Sequence, residues 1–142
     1  MKRIQLTKNF YLDEYIPEAI YRAYQSRPHL LIGMLDKQQV ESDQMLRDHL
    51  GPVTINNWWT GDNRDQSGIR VPGQSYYSIT SGHSFGHASD KIFKDVSAEY
   101  AREFIKKNWQ SLGITEIELG TSWVHSGNRW YPNQKELIMY EP

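Results

Sequence analysis

A single glycine separates two periodicities in this chain. Before Gly113 the apolar residues Tyr100, Ala101, Phe104, Ile105 and Trp109 recur at helical spacing. After it Ile114, Thr115, Glu116, Ile117, Glu118 and Leu119 alternate. The first pattern predicts an amphipathic helix, the second a half-buried strand. The helix is expected over 96–112, capped by Asp95 or Ser97 and ended by Gly113. A helix that feeds straight into a strand calls for a fold in which both bury apolar faces against one core.

The other segments extend this picture. Leu12-Asp13-Glu14-Tyr15 ahead of Pro17 reads as a helix start. One helix is expected over 30–50, with apolar clusters at Leu31, Met34, Leu35 and at Met45, Leu46, Leu50, stopped by Gly51-Pro52. The stretch 53–58 alternates and is rich in β-branched residues, so it reads as a strand. The stretch 60–68 is polar and turn-rich, a loop, and 137–140 reads as a final strand. Helices first and strands mostly later, with one helix between, is an α+β arrangement. No repeat, low-complexity tract or long linker divides the chain, and 142 residues suffice for one domain, 1–142, with its own core.

Composition excludes several function classes. A formal net charge of -1 gives no electrostatic basis for binding nucleic acid. There is no cysteine, so any metal must be held by nitrogen and oxygen. No apolar run follows Lys2 and Arg3, as a signal peptide requires, and no segment approaches membrane-spanning length. The expectation is a product made in the cytoplasm, without membrane insertion.

The chemistry concentrates in Ser81-Gly82-His83-Ser84-Phe85-Gly86-His87-Ala88-Ser89-Asp90 and in Trp123-Val124-His125. Imidazoles with a carboxylate suit a divalent ion such as zinc, and a catalytic zinc keeps three protein ligands and an open fourth position. If 86–90 is extended, Gly86, Ala88 and Asp90 share one face and His87 and Ser89 the other, which disfavours His87 as a ligand. Small Gly86 and Ala88 leave room over a metal. Arg70 brings a guanidinium that can grip a carboxylate in two-pronged fashion or stabilise an oxyanion.

Taken together, Ser67-Gly68-x-Arg70, Ser81-x-His83-x-x-Gly86-x-Ala88-x-Asp90 and Trp123-Val124-His125 resemble the zinc D-alanyl-D-alanine peptidases. Phage L-alanyl-D-glutamate endolysins and the Hedgehog signalling domain share that fold. The openings Leu6-Thr7-Lys8-Asn9-Phe10 and Leu46-Arg47-Asp48-His49-Leu50-Gly51 resemble the small phage and prophage branch. The resemblance covers most of the chain, with the motifs in the family's order. It implies N-terminal helices packed on a small, mostly antiparallel sheet that carries a metal cleft. It further implies one Zn²⁺ held by His83, Asp90 and His125, with Arg70 contacting substrate and Ser81 and Trp123 lining the substrate path. The implied partner is a peptidoglycan stem peptide, cut beside a D-amino acid. Lack of a leader fits a phage or prophage product, including one carried in the virion.

Two positions depart from the family. Active members place an acid three residues before the last histidine, where this chain has Ser122, and many phage-type members place one two residues after it, where this chain has Gly127. A zinc hydrolase needs a group that moves a proton from water to the leaving amine. Glu118 is the favoured substitute, with Glu116, Asp62 and Asp65 as further candidates. The loop 57–66, with Trp58-Trp59, is also longer than the family's direct run into Ser-Gly-x-Arg. Its tryptophans are read either as a sugar-stacking or docking surface or as core, and Tyr76-Tyr77 either as cleft lining or as hairpin residues. His29, His49 and Lys106-Lys107 read as solvated positions. Two functions follow: a peptidoglycan peptidase, or an inactive zinc-bearing domain that serves as a structural or binding component alongside phage structural proteins.

Overall fold

The computed structural model describes residues 2–142. Helix α4 (Ala98–Leu112) occupies the segment expected of it: the Ser97 side chain accepts the Tyr100 N–H at 3.0 Å, and Gly113 closes the helix at φ 71°. That left-handed conformation carries no steric penalty for glycine. Ala101, Ile105 and Leu112 are buried, whereas Tyr100, on the expected stripe, is exposed. Strand β3 (Glu116–Glu118) follows, with Ile117 fully buried.

Among the described residues, five strands form one mixed sheet. With β1 (Val53–Thr54), β2 (Ala88–Phe93), β4 (Val124–Gly127) and β5 (Ile138–Tyr140), the spatial order is β1-β2-β4-β3-β5. Only the β3–β5 pair is parallel. Together with the helices α1 (Glu18–Tyr24), α2 (Pro28–Ile32), α3 (Lys37–Leu50) and α4, this is an α+β fold. One apolar cluster joins α3 and α4 to the helix-facing side of the sheet through Leu46, Leu50, Ala101, Ile105, Ile117 and Val124. A second gathers Leu12, Ile16, Tyr21, Leu31, Trp58 and Ile69 around the N-terminal segment.

Three local expectations are corrected. The stretch 30–50 is two helices, because Gly33 ends α2 and the Asp36 side chain, accepting the Gln38 N–H at 3.1 Å, starts α3. The break has a tertiary cause: the backbone at 34–36 packs on Gly86, where a Cβ would stand 2.3 Å from the Met34 carbonyl oxygen. The strand at 53–58 stops after two residues. The Asn56 N–H leaves the sheet to donate to Glu14 O, and the Asn57 N–H donates to Arg64 O, both at 3.0 Å. Residues 12–14 form one 3-10 turn, and α1 begins only after Pro17. Of the two readings of the loop tryptophans, the core one holds for Trp58. Its Nε1–H donates to Ile16 O at 3.0 Å, and its ring packs edge-on to Tyr21 and to Trp59.

The strand between the two histidine motifs is polar yet wholly structured. On the helix-facing side of β2, Ser89 and Lys91 are fully buried. The Lys91 ammonium sits 2.9 Å from Asp43 Oδ1 and donates to Ser89 Oγ at 2.7 Å, while the Tyr15 hydroxyl donates to Asp43 Oδ2 at 2.9 Å. Among the described residues, no helix is long and apolar enough to cross a membrane.

Candidate metal centre

Strand register brings the ligating side chains together. Asp90 on β2 lies directly opposite His125 on β4. Continuing the β3–β4 pairing by one residue sets Glu118 opposite His125, and Glu118 pairs with Tyr140 on β5. One rung on the open face of the sheet therefore reads Asp90, His125, Glu118, Tyr140. Neighbours across such a rung hold their Cβ atoms about 5 Å apart. The next rung on that face runs Ala88, Gly127, Glu116, and its first two members carry almost no side chain. A 3-10 turn, Gly82–Phe85, settles over that gap, where a Cβ on Gly82 would lie 3.0 Å from the Ala88 Cβ. Small residues at 82, 88 and 127 thus let the turn approach the sheet and lower His83 beside His125.

The Ser67-Gly68-Ile69-Arg70 segment braces this arrangement from the other side. Ser67 O accepts the Asp90 N–H at 2.7 Å, and the Arg70 N–H donates to His83 O at 3.1 Å. Gly68 is required because a Cβ there would stand 2.3 Å from Tyr15 O. The Gly68 carbonyl accepts a hydrogen bond from His83 Nδ1 at 2.7 Å, which leaves the His83 Nε2 lone pair facing the cleft. Ser81 caps the turn by accepting the His83 N–H at 3.2 Å.

His83, Asp90 and His125 are all buried, and each turns one ligand atom to a common point. His83 Nε2 is 3.2 Å from His125 Nδ1 and 3.2 Å from Asp90 Oδ1, and His125 Nδ1 is 2.9 Å from Asp90 Oδ1. Ligands about 2.0–2.1 Å from a tetrahedral ion lie roughly 3.3 Å apart. The triangle is therefore close to the size a small divalent ion demands, and this group could hold one. Protonation suits it as well. Burial holds the His83 imidazole below its ordinary value, so it stays neutral. Burial pushes the Asp90 carboxyl up, but the hydrogen bond from His125 and the remaining contacts with the two imidazoles outweigh it and hold the carboxyl below its ordinary value. Among the described residues His125 Nε2 is buried without a hydrogen-bond partner, so the ring is held by its Nδ1 contact with Asp90 at 2.9 Å and by packing, including the Tyr140 ring edge-on at 6.0 Å.

The cleft around these atoms encloses about 630 Å³ and is lined among others by Arg70, Ser81, Glu118, Trp123 and Tyr140. Arg70 donates from Nη2 to Asp90 Oδ2 at 2.8 Å and from Nε to Gln66 O at 2.8 Å. The four acids considered for proton transfer separate clearly. Glu118 shares the cavity with His83, Asp90 and His125. Glu116 is clamped by Arg129 at 3.0 Å. Asp65 lines an adjoining lobe that includes Asp90 but neither histidine. Asp62 is spent on its own loop, accepting from the Asn57 side chain and the Asn63 N–H.

Neither departure position supplies an acid by another route. Ser122 is exposed. Gly127 is closed in, since a Cβ would lie 2.9 Å from both Glu116 Oε1 and His87 O. His87 stays out of the cleft, paired to Asp36 Oδ2 at 2.8 Å and bonded to Asn128. Tyr76 lines the cleft and Trp123 borders both lobes. Tyr140 went unseen in the sequence, where only its place on a final strand was legible. Burial, then Glu116 and Glu118, push its hydroxyl up, so it remains a protonated donor. No protein-family model, curated protein or solved structure matches this chain.

Proposed function

We propose that this chain is a zinc-dependent peptidoglycan peptidase, a D,D-carboxypeptidase or an endolysin-like endopeptidase acting beside a D-amino acid of the stem peptide. The observation that carries the reading is the Glu118 carboxylate in the same cavity as the three converging ligand atoms. A structural zinc site is closed by four protein ligands, whereas three ligands beside a free acid in an open cleft suit hydrolysis. The resemblance in the ordered motifs adds the Hedgehog-like fold and the wall-peptide substrate. When bound, zinc strengthens water as an acid and polarises a carbonyl.

The chain's own residues then have distinct tasks. His83, Asp90 and His125 hold the ion. Glu118 takes the proton of the attacking water and returns it to the leaving amine. Arg70 steadies Asp90 and offers its remaining N–H groups to a substrate carboxylate or a developing oxyanion. Ser81 and Trp123 line the path of the peptide. The cellular setting on this reading is a phage or prophage product, including one borne in the virion.

A second reading, a zinc-bearing but inactive domain that binds or builds a phage particle, is favoured by one observation. Neither position used for an acid in the resembled family carries one here: Ser122 is exposed and Gly127 is sterically closed. The two readings part on purified protein. Both expect about one zinc per chain. The peptidase reading also expects muropeptide hydrolysis that is lost with zinc in His125→Ala. In Glu118→Gln, zinc should be retained while turnover falls by about 10²–10⁴-fold. Zinc-loaded protein without turnover on any wall peptide overturns the first reading, and failure to bind zinc overturns both.

A further inference from the structure

The cleft has a second lobe of about 430 Å³, joined to the first where Arg70, Tyr76, Asp90 and Trp123 border both. Its outer wall is the loop 57–66, and that loop is braced rather than slack. The Arg64 N–H donates to Asn57 Oδ1 and the Ser67 N–H to Asn56 Oδ1, each at 2.9 Å. Gln66 fixes the opposite rim: its side chain accepts the Tyr76 N–H at 3.1 Å and donates to Ser75 Oγ at 3.2 Å. Trp123 is held from beneath by buried Arg102, which donates to its carbonyl at 3.1 Å. The backbones of Tyr76 and Trp123 are thus anchored at the border of the lobe, with Tyr76 69% and Trp123 37% exposed, and the Arg70 guanidinium lies 5.9 Å from the centroid of the Tyr76 ring.

The charges in this lobe are unevenly matched. Arg70 is paired with Asp90. The Arg64 guanidinium is turned to Ile55 O at 3.0 Å and Ser67 Oγ at 2.8 Å. Asp65 is half-buried, and among the described residues its carboxylate has no ion-pair partner and no side-chain donor. Burial, then the nearby Glu18, push its carboxyl up, as expected of an acid whose counter-ion is absent. A carboxylate beside aromatic faces attracts a cation, and a primary ammonium adds the N–H donors that the carboxylate accepts.

We infer that this lobe is a subsite for a primary ammonium, with the Asp65 carboxylate as counter-ion and the Tyr76 and Trp123 rings as its walls. Resting on the peptidase reading, the subsite takes the free side-chain amine of the diamino residue in a stem peptide whose scissile bond lies in the neighbouring lobe. Either a lysine or a diaminopimelate residue carries that amine. It is bound and not altered, so no bond changes here.

The test uses the full zinc-loaded chain and stem peptides of lysine and of diaminopimelate type, each with the side-chain amine free or acetylated. Affinity is read by calorimetry and cleavage by chromatography. The free-amine form of at least one type should bind about tenfold more tightly. Asp65→Asn should erase that preference and leave affinity for the acetylated peptide unchanged. The type with the larger preference identifies the source of the amine. Equal affinity of free and acetylated peptides, or a preference that survives in Asp65→Asn, overturns the subsite while cleavage keeps the peptidase reading intact. If no peptide is bound or cut, the peptidase reading falls and the subsite with it.

Discussion

The two oxygens of Asp90 face different groups: Oδ1 turns to His83 and His125, and Oδ2 accepts from Arg70 at 2.8 Å. Such a partner fixes the ligand's orientation and keeps its charge available to an ion. If the site takes zinc as proposed, Arg70→Ala should weaken the binding of added zinc by about 10–100-fold, read by competition with a chromophoric chelator. An unchanged affinity would mean that the Arg70 contact does not govern how Asp90 meets the ion. The spacing of the candidate ligands was legible because histidine and aspartate have few reasons to recur in that order. What the sequence could not display is their orientation. The Gly68 carbonyl that aims His83 is a backbone atom, and no residue type announces it. Tyr140 was hidden for a similar reason, since its place beside Glu118 depends on a strand pairing between residues 22 positions apart.

Strand β2 shows the same limit for a whole element. Its two faces carry opposite tasks, Asp90 toward the cleft and Ser89 with Lys91 toward α3, yet both faces are polar. Alternation of apolar and polar residues, which revealed β3, is therefore absent from β2. Its lysine is compatible with burial only through Asp43, which comes from α3. Lys91→Met should leave that carboxylate buried and unpaired and cost about 3–5 kcal/mol, measured by urea denaturation. A loss well under 1 kcal/mol would mean that Asp43 finds another donor. The division of 30–50 into α2 and α3 was equally illegible. Leucine and methionine at 31, 34 and 35 keep helical spacing, while the break is imposed by Gly86, some fifty residues away.

Across the whole molecule, the N-terminal segment ties the sheet to the loops around the cleft. Glu14 O accepts the Asn56 N–H at 3.0 Å and Tyr15 O the Ile69 N–H at 2.7 Å. The Glu14 side chain also accepts the Tyr11 N–H at 2.8 Å. Burial pushes its carboxyl up from 4.5 to about 7, so between those values the folded chain keeps a proton that the unfolded chain releases. Stability should accordingly fall as pH rises through that window, by at most about 3 kcal/mol from this group. Glu14→Gln keeps an acceptor for the Tyr11 amide and should flatten the decline, as followed by thermal melts at pH 5 and pH 8. A wild-type slope that persists in the variant would place its origin elsewhere. The α+β class was readable from the order of periodic segments, but the strand order β1-β2-β4-β3-β5 depends on long-range pairing that no local pattern encodes. That pairing has a consequence of its own. Sliding β4 by one residue against β2 would set Val124 or Ser126 opposite Asp90 and swing His125 toward the helices. An ion bridging Asp90 and His125 can therefore exist in one alignment only. Metal uptake during refolding would act as a clock that marks when two strands separated by the whole of α4 first meet correctly.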